Sequence, residues 1–136
     1  MNSFLAMVAL VVFVWPFGSS VKKYDMQASN GVPAANGTVT VKRNKNNKNT
    51  DLDVKVRNLA APSSLTPSEG VYVVWVRPNG DTPQKEGAIG LGNNLSGELK
   101  AVTTAKDFEV FITAEPGETV TTPSGPEVLK AHVKMG

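Results

Sequence analysis

From Thr38 onward the chain alternates apolar and polar positions with a period of two. Val39 and Val41 are interleaved with Thr38, Thr40 and Lys42. Leu52, Val54 and Val56 are interleaved with Asp51, Asp53, Lys55 and Arg57. Successive strand side chains point to opposite faces, so both stretches read as half-buried strands. The polar run Asn44-Lys45-Asn46-Asn47-Lys48-Asn49 between them reads as the tip of an antiparallel hairpin. Val71 to Val76 is apolar at every position and predicts a strand covered on both faces. Asn79-Gly80 is turn chemistry, because both residues tolerate positive φ. Ala88 to Leu91 and Leu95 to Val102 are short strand candidates punctuated by glycine. Phe108, Val110, Ile112 and Ala114 line one face of a further strand, and Leu129, Ala131 and Val133 line the last.

About seven short strands separated by Gly, Pro and Asn, with no sustained period of 3.6, predict an all-β fold. The expected architecture is an antiparallel immunoglobulin-like β-sandwich. Trp75 is in phase with Val71 and Val73 and reads as a plug of the sandwich core. Pro116 and Gly117 end the strand before them. Thr122-Pro123-Ser124-Gly125-Pro126 then sets the approach to the final strand, with Gly125 expected to adopt a backbone conformation unfriendly to Val.

The first twenty residues follow a different pattern. Phe4 to Trp15 is apolar and uncharged, shorter than the ~20 residues that cross a bilayer comfortably and matched to the apolar core of a signal peptide. Gly18 and Ser20 put small residues at the −3 and −1 positions of a cut after Ser20. Lys22 and Lys23 pull the other way, toward a retained anchor. The chain therefore divides into a signal peptide or membrane anchor (1–20), a linker with Asn30-Gly31, Pro33 and Asn36-Gly37 (21–36), and a sandwich domain (37–136). Export to the periplasm or beyond is expected, with anchoring to the plasma membrane, facing outward, as the alternative. Membrane association would run through residues 4–15.

Composition removes much chemistry. The chain has no cysteine and one histidine, which excludes disulfides, thiolate metal sites and the His/Cys ligand set of a cupredoxin. His132 falls on the exposed phase of the last strand. No Ser sits in a Gly-x-Ser-x-Gly elbow. Asp51 and Asp53 lie beside Lys55 and Arg57, where cross-strand charge pairing is the ordinary outcome. Gly87 to Gly92 lacks the spacing of a phosphate-binding fingerprint, so close packing or a bulge accounts for its glycines. The net charge is +2, but Lys42 to Arg57 carries six cations against two acids, and Asp107 to Glu127 carries five acids and no cation. The basic hairpin tip 43–48 has no aromatic neighbour, which argues against nucleic acid. No residue is assigned a catalytic, cofactor-binding or metal-ligating role. The reading is of a non-enzymatic protein without cofactor whose partner is a protein or envelope component.

Several segments in order resemble the extracytoplasmic C-terminal domain of anti-sigma-K factors. Asp51 to Leu59 with Pro62 and Leu65 resembles that family's opening strand and proline-bearing loop. Tyr72-Val73-Val74-Trp75-Val76 resembles its Tyr-x-x-Trp strand, and Gly87 with Leu91 its Gly-x-Leu. Ala114-Glu115-Pro116 and Thr122-Pro123-Ser124-Gly125 resemble its Glu-Pro and Thr-Pro-x-Gly turns. The resemblance spans roughly residues 50 to 133. It implies an exported β-sandwich with a binding, sensing or structural role and no active site. The cytoplasmic helical domain with which the full-length family holds its sigma factor has no counterpart in this sequence.

Overall fold

The computed structural model describes residues 21–135; the signal or anchor segment 1–20 lies outside them. The described chain forms nine strands: β1 (Val21–Asp25), β2 (Gln27–Ala28), β3 (Asn36–Arg43), β4 (Thr50–Arg57), β5 (Val71–Pro78), β6 (Gln84–Ile89), β7 (Gly97–Thr103), β8 (Asp107–Glu115) and β9 (Glu127–Lys134). They make two antiparallel sheets, one ordered β1-β3-β4-β7 and the other β2-β9-β8-β5-β6. From β3 to β9 the chain makes three hairpins and crosses between sheets after β4, β6 and β7, as in an immunoglobulin-like sandwich.

The period-two pattern builds the core directly. Val39 and Val41 of β3 sit opposite Val54 and Leu52 of β4. They meet Tyr72, Val74, Val76, Phe108, Val110, Ile112, Leu129 and Val133 from the other sheet. Such side chains contribute about 1.5–3 kcal/mol each on full burial. The Tyr72 hydroxyl donates to the Ala60 carbonyl at 2.5 Å, and burial pushes its phenol up to about 12.

Trp75 is buried, in phase with Val71 and Val73, but not in that core. It belongs to a second cluster with Val73 and Phe111, against which Val71 and Val120 pack. The strand parity explains the correction. Tyr72, Val74 and Val76 point between the sheets, so Trp75 points to the outer face of the five-stranded sheet. The connection from β8 to β9 folds over that face, places Val120 on the cluster and is tied across β6 by the Lys85 ammonium, which donates to the Glu118 carbonyl. The expectation that Val71–Val76 is covered on both faces is met by a loop on one side and a sheet on the other.

Three boundaries also differ from expectation. The 21–36 stretch, read as a linker, contains β1 and β2. β1 pairs with β3 and β2 with β9, so this segment clasps one edge of both sheets. Its strands are almost wholly exposed and carry no alternation to betray them. β6 begins at Gln84 rather than Ala88; as an edge strand it tolerates Gln84, Lys85 and Glu86. Gly87 (φ +146°) lies at a register shift between β5 and β6, which is the bulge its glycine suggests. β7 starts at Gly97, where an added Cβ would run into the Gly90 carbonyl oxygen.

Candidate functional site

Buried polar groups are where a β-sandwich departs from its folding pattern, and one such group stands out. Glu115, the last residue of β8, is fully buried. Its Oε2 accepts the Thr113 hydroxyl at 2.5 Å and the backbone N–H groups of Ser124 and Gly125 at 3.0 and 3.2 Å. Its Oε1 accepts the Ser124 hydroxyl at 2.6 Å. The chain of donors continues outward, for the Trp75 indole N–H donates to the Thr113 oxygen at 2.8 Å. Burial pushes the Glu115 carboxyl up, but the hydrogen bonds from Ser124, Thr113 and Gly125 outweigh it and hold the group below its ordinary value. It is a carboxylate satisfied from four donors, as a buried charge must be.

The backbone closes the same junction. Ala114 N–H donates to the Pro126 carbonyl and Gly70 N–H to the Glu115 carbonyl, both at 2.9 Å. Ala114-Glu115-Pro116, Thr122-Pro123-Ser124-Gly125 and the Tyr-x-x-Trp strand, far apart in sequence, thus converge on one hydrogen-bonded unit. The sequence shows these motifs but not their contact. The available signal was Phe111 and Thr113 on the polar phase of β8, opposite Trp75 and Val73 in register, a pattern that requires a cover on the outer face.

On that outer face the acidic stretch of β8 is neutralised locally. Glu109 pairs with Arg77 and lies 3.9 Å from Lys130. The Arg77 guanidinium stacks 4.9 Å from the Phe111 ring centre. His132 is exposed, as expected, and its Nε2 lies 2.7 Å from Asp107 Oδ1. No serine or threonine hydroxyl completes a hydrogen-bonded triad with this pair among the described residues, and no group of three or more His, Asp or Glu there could hold a metal ion.

The outer face of the four-stranded sheet is different in kind. Its register rows are Lys23–Thr40–Asp53–Lys100, Asp25–Thr38–Lys55–Glu98 and Val21–Lys42–Asp51–Val102. Opposite charges face each other across strands, as predicted for Asp51 and Asp53, yet none of these pairs is a salt bridge; the four found among the described residues all lie on the other sheet. Two open grooves cross this face. One, of about 560 Å³, is lined by Lys23, Lys55, Arg57, Asn36, Asn94 and Glu98. The other, of about 480 Å³, runs between Val21 and Val102. Asp53 Oδ1 is buried without a partner. The Asp53 carboxylate on the neighbouring strand raises Glu98 above its ordinary value, while Lys55 and Lys100 oppose the shift.

The hairpin tip is an ordered turn. Asn44 N–H donates to the Asn49 carbonyl, and Asn44 Oδ1 accepts the N–H of Asn46 at 2.9 Å. Lys48 takes positive φ (60°). No family model and no curated protein matches the chain.

Proposed function

We propose that this chain is a non-catalytic, exported β-sandwich that acts as a binding or interaction module of the cell envelope, related to the extracytoplasmic domain of anti-sigma-K factors. The supporting observation is the convergence of the resemblance's motifs on Glu115. Glu115, Ser124, Gly125 and Trp75 serve to close the fold, with the carboxylate sealed beneath the loop it organises. Motif residues used in this way carry architecture, and recognition falls to the open faces, above all the four-stranded sheet. The test is the location and N-terminus of the protein in its source cells. Recovery from the exported fraction with Val21 as first residue supports the reading. Recovery from the cytosol with residues 1–20 intact sinks it.

The second reading is an envelope-anchored regulatory part of a sigma/anti-sigma system. Lys22 and Lys23, on the C-terminal side of the apolar run, favour it. Resistance to alkaline extraction from membranes, together with a neighbouring gene for a sigma factor or its inhibitor, would select it over the secreted form.

A further inference from the structure

The charge asymmetry along the sequence becomes an asymmetry between the two ends of the sandwich. β3 ends and β4 starts at the hairpin tip. Register places the start of β1, the end of β7 and the β7–β8 connection at that same end, since Val21 pairs with Lys42 and Thr103 with Thr50. Lys22, Lys42, Arg43, Lys45, Lys48 and Lys106 therefore gather there, and none of them forms a salt bridge among the described residues. The acids at this end are Asp51, Asp81 and Asp107, the last engaged by His132. Val21 and Val102, 48% and 53% exposed, stand at the two edges of the last register row before the tip that spans all four strands. The tip itself, Asn44–Asn49, contains no acid, and Lys45 to Lys48 are exposed.

Chain geometry gives this end its orientation. Val21 follows the apolar run Phe4–Trp15 after only five residues, and the six steps from Trp15 to Val21 reach at most ~20 Å. Whatever holds the apolar run meets the basic end of the sandwich first. We infer that the β3–β4 tip and the β1 start form a docking surface for an anionic lipid bilayer, with Lys45 and Lys48 leading and Val21 and Val102 near the interface. A polybasic patch beside an apolar segment is the charge pattern that anionic headgroups attract. The proposed export supplies its setting, but binding itself rests on the charges of residues 21–135, so failure of one leaves the other measurable.

The test reconstitutes the full chain in vesicles of phosphatidylcholine alone and of phosphatidylcholine with phosphatidylglycerol, and maps lysine acylation by mass spectrometry. Lys45 and Lys48 are expected to be protected only in the anionic vesicles, with protection lost in about 1 M salt, where the screening length shrinks to about 3 Å. Equal acylation in both vesicle types overturns the proposal. In parallel, the chain from Val21, which holds all nine described strands and both described core clusters, is sedimented with the same vesicles. Each cation near the surface changes partitioning about fivefold, so Lys45→Gln with Lys48→Asn is expected to weaken it by at least about tenfold. The Asn preserves the left-handed backbone at position 48. Lys55→Gln with Arg57→Gln, toward the other end, should have little effect. An equal loss from that second pair, or capture by soluble polyphosphate without capture by anionic vesicles, also overturns the proposal.

Discussion

Gly125 packs against Ala114 so closely that an added Cβ would enter the Ala114 carbonyl oxygen, and its φ is not among the positive ones. The requirement for glycine is thus one of contact, not of the backbone conformation expected between Pro123 and Pro126. Gly125→Ala should already cost about 1–3 kcal/mol, the scale of overpacking, and Gly125→Val more. Gly117 has open space at the same point, so Gly117→Ala should melt with wild type or slightly above it. Equal thermal melts for Gly125→Ala and Gly117→Ala would refute the close approach. Glu115 makes a second residue-scale prediction. Its folded pKa lies below the ordinary 4.5, so acid loads the unfolded chain with more protons than the folded one. Its contribution is full above about 4.5 and disappears as pH falls through the lower folded value. Glu115→Gln should remove this part of the acid sensitivity and cost about 3 kcal/mol at neutral pH, because the amide NH₂ cannot accept from Ser124 or Thr113. Urea midpoints at about pH 7 and about pH 3 decide it; parallel losses in both proteins would assign the acid sensitivity elsewhere.

At the scale of elements, the connection between β8 and β9 acts as a third layer over part of the five-stranded sheet. Trp75→Ala should cost about 3–5 kcal/mol. Trp75→Phe should cost only about 1–2 kcal/mol, for the lost indole donor to Thr113. In a Trp15→Phe background, the folded protein should emit at short wavelength and resist acrylamide. Val120→Ser should raise acrylamide quenching of Trp75 while leaving amide exchange in β3 and β4 unchanged. Quenching that stays at the wild-type level would mean that Val120 is not part of the cover. How far these elements can be read from sequence follows their environment. β3, β4 and β9 announce themselves because one face is buried and one is wet, whereas β8 keeps that alternation only up to Val110 and is buried on both faces beyond it. β1, β2 and β6 lie at edges, gain their order from backbone pairing, and leave little trace in side-chain type. Trp75 was legible as buried, whereas its layer depends on strand parity relative to Tyr72, which a run apolar on both faces does not reveal. Glu115 was unreadable as a core residue because its burial depends on donors nine and ten positions away.

For the molecule as a whole, both ends of the described chain leave from one side. Val21 pairs with Lys42 beside the hairpin tip. Met135 N–H donates to the Lys106 carbonyl at 2.7 Å, at the same end. The grooved outer face of the four-stranded sheet runs from this end to the opposite one, where Asp25, Glu118 and Glu127 lie. Neutralising Lys45 and Lys48 should therefore leave the thermal stability of the sandwich within about 0.5 kcal/mol of wild type, since both are exposed at a turn; a larger loss in a denaturant melt would mean the tip is part of the folding core. The common exit of the two termini also has a mechanical consequence. A pull between them would not load the ladder of β1 and β3 in shear, with all its hydrogen bonds resisting together. It would open that ladder from Val21 inward, one bond at a time, and the clasp formed by β1 and β2 would yield before the two cores. Under tension the domain would behave as a pendant with a zip at its attachment point, rather than as a link in a load-bearing chain.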